Sequence, residues 1–142
     1  MENSDAPRIL ALADDEREWL AARLTAAAKA GLLADQEALI DSFDGSRDDW
    51  HARPLGERGS AAMLVNIYGA AFGQLLSEEF DLEWCVVERE GTDQIGLYGA
   101  AGRLVFFPLQ TVAQRWEDPA QRSLADLLAQ ARESLRAVQG EG

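Results

Sequence analysis

The sequence predicts an α+β fold with N-terminal helices, a long central helix packed on a three-stranded antiparallel meander, and C-terminal helices. Three observations carry that expectation. Apolar residues recur at three- and four-residue steps through the first part of the chain, alternate between about Glu83 and Phe107, and return to helical spacing after Pro108. The length of 142 residues suits one domain, 1–142, that buries its core without a disulfide or a metal.

The first helix is expected from about Ile9 to Ala30, with Leu12, Trp19, Leu20, Leu24 and Ala27 on its apolar face and Gly31 as its C-cap. Asp35 reads as the N-cap of a short second helix bearing Leu39, Ile40 and Phe43, antiparallel to the first. Between Asp44 and Ser60 neither period is visible. That predicts a loop, and a loop this long in a compact fold is either mobile or functional. The central helix, Ala61 to Glu79, carries Met63, Leu64, Ile67, Tyr68, Phe72, Leu75 and Leu76 around more than half its circumference. Gly69 and Gly73 sit one turn apart on one face. Glycine costs about 1 kcal/mol in a helix interior, and close approach of a neighbouring backbone is the usual compensation.

Beyond the central helix the period falls to two. Glu83 to Glu88 is a strand with Trp84 and Val86 on one face and Cys85 and Val87 on the other. Gly91, Thr92 and Asp93 are expected to turn the chain, and Gln94 to Tyr98 to return it. A second turn over Gly99 to Gly102 leads to a third strand, Leu104 to Phe107. Pro108 suits the first turn of the next helix, which carries Leu109, Val112, Ala113 and Trp116. Ser123 and Asp126 have capping-box spacing before a final helix striped with Leu124, Leu127, Leu128, Ala131, Leu135 and Val138.

Composition narrows the function. Twenty-five carboxylates against thirteen bases leave a net charge of −12, whereas nucleic acids and anionic membranes select for excess Lys and Arg. Neither is expected as a partner. Cys85 and His51, each the only one of its kind, supply no internal disulfide and no four-ligand zinc site, so no metal or cofactor is expected. The most apolar stretch, Ala61 to Leu76, is broken by Asn66, Gly69, Gly73 and Gln74 and is too short to span a bilayer. The N-terminus lacks the basic and apolar regions of a secretory signal. A cytoplasmic location is the expectation.

Catalytic constellations are weak. Cys85 with His51 would be a nucleophile–base pair, but a thiol in mid-strand is usually a small buried hydrophobe. Glu78, Glu79, Asp81 and Glu83 form the densest carboxylate cluster and read as a solvated helix end. The run from Asp44 to Asp49 lacks the alternating ligands and final Glu of a calcium loop. Gly56 to Ser60 could offer backbone N–H groups to an anion at a helix start, yet no P-loop lysine or preceding strand accompanies it. No catalytic residue is assigned.

Recognition remains. Tryptophan, tyrosine and arginine dominate binding hot spots, and Trp50, His51, Arg53, Tyr98, Arg115 and Trp116 near loops or helix ends are the candidate interaction surface. The competing reading makes both tryptophans core residues. The stretch YGAAFG (Tyr68–Gly73), the strand opening at Trp84 after Phe80, Phe107-Pro108 and the helix ending in Gln114-Arg115 together resemble the bacterial domain-of-unknown-function family numbered 3806. The resemblance covers about Tyr68 to Trp116. It implies the same order of helices, meander and helices, and it brings no activity, cofactor or catalytic residue.

The leading functional expectation is a non-enzymatic protein-binding or adaptor module, immunity-like or chaperone-like, with a basic protein as the favoured partner. The alternative is a small hydrolase or transferase using carboxylates or His51 in the 44–60 loop. The sequence names neither the partner nor the oligomeric state.

Overall fold

The computed structural model describes residues 8–99, 104–118 and 123–140. Along the chain run β1 (Arg8–Leu10), α1 (Asp14–Lys29), α2 (Gln36–Ala52), α3 (Ala62–Phe80), β2 (Glu83–Arg89), β3 (Thr92–Gly99), β4 (Leu104–Phe106), α4 (Pro108–Glu117) and α5 (Leu124–Gly140), with a 3₁₀ turn at Leu55–Glu57. The architecture is α+β, as the periodicity predicts.

The meander forms with one addition. The sheet is four-stranded and antiparallel in the order β1-β2-β3-β4. Ile9 and Leu10, expected in the first helix, instead pair with Val87 and Val86. Three residues are too few to display a period of two, so the pattern could not separate them from the helix that follows. The β2–β3 hairpin turns at Glu90-Gly91 rather than at Gly91 to Asp93, since Arg89 pairs with Thr92. Both turn residues have positive φ, 53° and 77°, which is the type I′ geometry that matches strand twist. The expected turn over Gly99 to Gly102 falls mostly outside the described residues. Phe107 leaves the sheet, and Pro108 opens α4.

Helix ends obey local chemistry. At the end of α1, Gly31 takes φ +79°. Its N–H reaches the Ala28 carbonyl at 3.0 Å and the Leu32 N–H reaches that of Ala27 at 2.9 Å, a Schellman motif. The Asp35 carboxylate accepts the Ala38 N–H at 2.7 Å and starts α2. That helix is not short. It continues to Ala52, so the first half of the expected 44–60 loop is helical. Leu39, Phe43, Arg47 and Trp50 keep the three- and four-residue step, and Arg47 is only 5% exposed. A buried arginine on the inward face interrupts the apolar stripe, which is why hydrophobic periodicity loses the helix there.

α1 packs on α3, and α2 packs on α3 and α5. The N-terminal helices therefore share α3 as their support instead of forming a hairpin with each other. The seam between α3 and α4 rests on bare backbone. A Cβ on Gly69 would lie 2.9 Å from Leu109 Cδ2, and one on Gly73 would strike the Trp84 ring and lie 2.8 Å from Pro108 Cγ. Trp84 carries the sheet onto α3, its indole N–H donating to Gln74 Oε1 at 3.0 Å. Glu79 is not merely solvated. It accepts from Arg132 at 2.8–3.0 Å and fastens α5 to α3. Ser123 accepts the Ala125 N–H at 3.0 Å, while the Leu124 N–H goes to Asp44 Oδ1 at 2.9 Å. The start of α5 is thus capped from α2 as well as locally, and in place of the expected Ser123–Asp126 box the Ser123 hydroxyl takes the Ala125 N–H while the Asp126 N–H goes to the Ser123 carbonyl at 3.1 Å.

Candidate interaction surface

One end of the molecule gathers the C-terminus of α2, the reversal through residues 53–61, the N-terminus of α3 and the C-terminus of α4. Four backbone carbonyls at the end of any helix lack partners within it. For α4, side chains of α2 supply two of them. Arg47 Nη1 donates to the Arg115 carbonyl at 3.0 Å, and His51 Nε2 lies 2.7 Å from the Trp116 carbonyl. A carbonyl only accepts, so His51 carries its proton on Nε2 in this contact.

The reversal is tied down in the same way. Arg58 donates to the carbonyls of His51 and Arg53 while its guanidinium sits 5.2 Å from the centre of the Trp50 ring. The Trp50 indole N–H donates to the Gly59 carbonyl at 3.1 Å. Ser60 Oγ accepts the Ala62 N–H at 3.2 Å at the start of α3. In the Gly56–Ser60 segment, Gly56 and Glu57 belong to the 3₁₀ turn.

Of the six residues proposed from sequence, five come together here. Trp50 and His51 are half-buried, Arg53 is exposed, Arg115 is half-buried, and Trp116 is fully buried. Trp116 is therefore corrected from surface to core. It stacks on Tyr68 at 6.2 Å and meets Phe43 edge-on at 5.6 Å, so the competing core reading holds for this tryptophan. Tyr98 lies elsewhere, on β3, where its hydroxyl donates to Glu83 at 3.0 Å. That bond and the Glu83 charge raise its pKa.

Sequence reasoning missed three members of this end. Leu55, Met63 and Leu64 are 79%, 69% and 40% exposed. Met63 and Leu64 were assigned to the core by periodicity, because a helix apolar around most of its circumference gives no sign of which side is left bare.

The chemically reactive groups are occupied by structural work. Cys85 is 1% exposed in β2. Burial, with the Glu83 charge adding to it, pushes its thiol up to about 11, against the opposing effect of the Gly96 backbone. A thiol so held is protonated at neutral pH and is a poor nucleophile. It borders a pocket with Glu83, Tyr98 and Arg17, the last paired to Asp14 at 2.8 Å. Among the described residues, no three of His, Cys, Asp and Glu gather where they could hold a metal ion. No described helix is long and apolar enough to cross a membrane.

Comparison with known proteins adds the family. The family model described as Domain of unknown function (DUF3806) matches residues 57–126. Residues 57–126 belong to that family. The match takes in α3, strands β2 to β4, α4 and the opening of α5, and extends beyond the resembling stretch on both sides. Trp50, His51 and Arg53 precede it, so the end described above is built partly outside the DUF3806 segment. No curated protein and no solved structure matches the chain.

Proposed function

We propose that the protein is a non-enzymatic binding module that recognises another protein, with a basic partner favoured, in a cytoplasmic setting. The observation that carries this reading is the exposure of Leu55 in the 3₁₀ turn and of Met63 and Leu64 in the first turn of α3, at the end where Trp50 and Arg58 are fixed. Large apolar side chains clustered in solvent, rimmed by polar residues, mark interaction sites. Rigid aromatic and guanidinium groups beside them cost little entropy to order on binding. The net charge of −12 supports a basic partner through electrostatic steering, and a free buried thiol suits a reducing compartment.

The test uses the protein immobilised as bait in extract from its native host, beside a Met63→Ser/Leu64→Ser variant. The expected outcome is a partner retained by the wild type and lost by the variant. Its association should slow sharply as salt rises, because the Debye length falls from about 30 Å at 0.01 M to about 10 Å at 0.1 M. Equal retention by both proteins would remove the apolar end from the account, and a salt-insensitive on-rate would reduce the charge to a solubility device.

A further inference from the structure

We infer that the unpaired edge of β3 accepts an extended segment of a partner polypeptide as an added strand, with one apolar and one basic side chain spaced two residues apart. This inference deepens the binding-module reading and rests on it, but it stands on a different part of the molecule.

The edge exists because β4 is short. β4 covers only Leu97, Tyr98 and Gly99, and the chain then departs through Phe107 into the proline-started α4. Thr92 to Ile95 pair with β2 on one side and have no strand on the other among the described residues. In a two-residue hairpin, the residues flanking the turn form a mutually hydrogen-bonded pair, and direction alternates from there. Arg89 and Thr92 are that pair, so Thr92 and Gln94 point their backbone groups at β2. Asp93 and Ile95 point theirs outward. Two N–H donors and two carbonyl acceptors thus face the open side. Natural edges are usually blunted by charged side chains, proline or a bulge, and this stretch contains no proline and a single charge, Asp93, which leaves the edge open to a partner of opposite sign.

Both faces beside the edge are hollow. Toward the helices, Trp19, Leu109 and Ala113 form an open groove of about 340 Å³ with Ile95, and Gln110 lines it too. On the opposite face, Gln94 and Thr92 border a second hollow of about 260 Å³ with Val87 and Phe107. Strand addition sends successive side chains to alternate faces and needs recesses on both. A residue opposite Ile95 meets the apolar wall. The residue two positions away lies opposite the exposed Asp93, whose neighbour across β2 is Glu88, already paired to Arg8 at 2.8 Å. A lysine or arginine there complements Asp93 and the overall charge.

The test pans the full chain against a displayed library of random peptides, then measures affinity of the enriched peptides. Expected is an apolar residue followed or preceded at two positions by Lys or Arg. N-methylation along the peptide should abolish binding at every second residue and be tolerated between, because only alternate N–H groups face β3. Asp93→Pro removes an outward N–H together with the carboxylate that faces the basic residue, without touching the β2 ladder, and should weaken binding by about tenfold or more. Met63→Ser/Leu64→Ser should not. No enrichment, or N-methylation effects without a period of two, overturns the inference. Loss with Met63→Ser/Leu64→Ser but not with Asp93→Pro also overturns it while leaving the binding-module reading intact. A concentration-dependent dimer that Asp93→Pro dissolves would assign the edge to a second copy and overturn the partner assigned here. The N-methyl series uses the unaltered protein, so it decides the matter even if Asp93→Pro fails to fold.

Discussion

The α3–α4 seam and the end where α2 meets α4 solve the same problem of docking helices onto α4, by opposite means. At the seam, Gly69 and Gly73 remove side chains so that Leu109, Pro108 and Trp84 close on bare backbone. At the end, Arg47 and His51 extend long polar side chains to the last carbonyls of α4. The first contact is governed by volume and the second by hydrogen-bond satisfaction. They should therefore fail differently, the seam to added atoms and the end to removed ones.

The largest effect is expected at the seam. Gly73→Leu drives atoms into the Trp84 and Pro108 rings, neither of which is a flexible chain end. Overpacking of that kind costs about 3 kcal/mol, at the top of its usual range, measured as a lowered urea midpoint. An unchanged midpoint would mean that the seam is not close-packed. Next comes Arg47→Ala, which deprives the Arg115 carbonyl of its buried donor. The cost is about 2 kcal/mol, and an unaffected stability would show that water replaces the guanidinium and that the two regions do not differ as argued.

A smaller loss, about 1 kcal/mol, is expected for Asp44→Ala, since a cap on the first N–H of α5 disappears. Hydrogen exchange at the start of α5 should rise while that at the seam stays unchanged. The smallest effect at neutral pH concerns Cys85. The folded chain holds the thiol protonated up to about 11, against an ordinary value of 9.0. Between those values the unfolded chain loses its proton first, so stability falls as pH rises through that window and is unaffected below it. Cys85→Ala should flatten the fall, seen in thermal melts from pH 8 to 11. Rapid labelling of the native thiol, at the rate of an unfolded control, would contradict its burial.

The seam was legible and the end was not. Two glycines one helical turn apart announce close approach from sequence alone. Nothing local announces that Arg47 turns inward, because its acceptor lies 68 residues away. With Arg47 interrupting the apolar step, residues 44–52 read as a loop, and Trp116, placed near a helix end, reads as a candidate for the surface. The candidate site was half legible for the same reason. Trp50, His51, Arg53 and Arg115 do converge, yet the exposed Met63 and Leu64 belong to a stripe whose solvent-facing side is chosen by which helices arrive.

Several features set within a few residues were legible in the residues alone. These are the Schellman turn at Gly31, the Asp35 cap, the central helix, the alternating strands, the proline start of α4 and the stripe of α5. Propensity, capping and periodicity act over one or two turns, and those distances fit within a sequence window. Tertiary structure alone decided the rest. It placed β1 beside β2, 80 residues away, extended α2 to donate to the end of α4, and sent Asp44 to cap α5. Among the described residues, it also left the β3 edge without a partner where Phe107 and Pro108 divert the chain. A buried carbonyl or an unpaired strand edge is satisfied by whichever group the folded chain brings within hydrogen-bond reach. That requirement acts through space and leaves no period in the sequence.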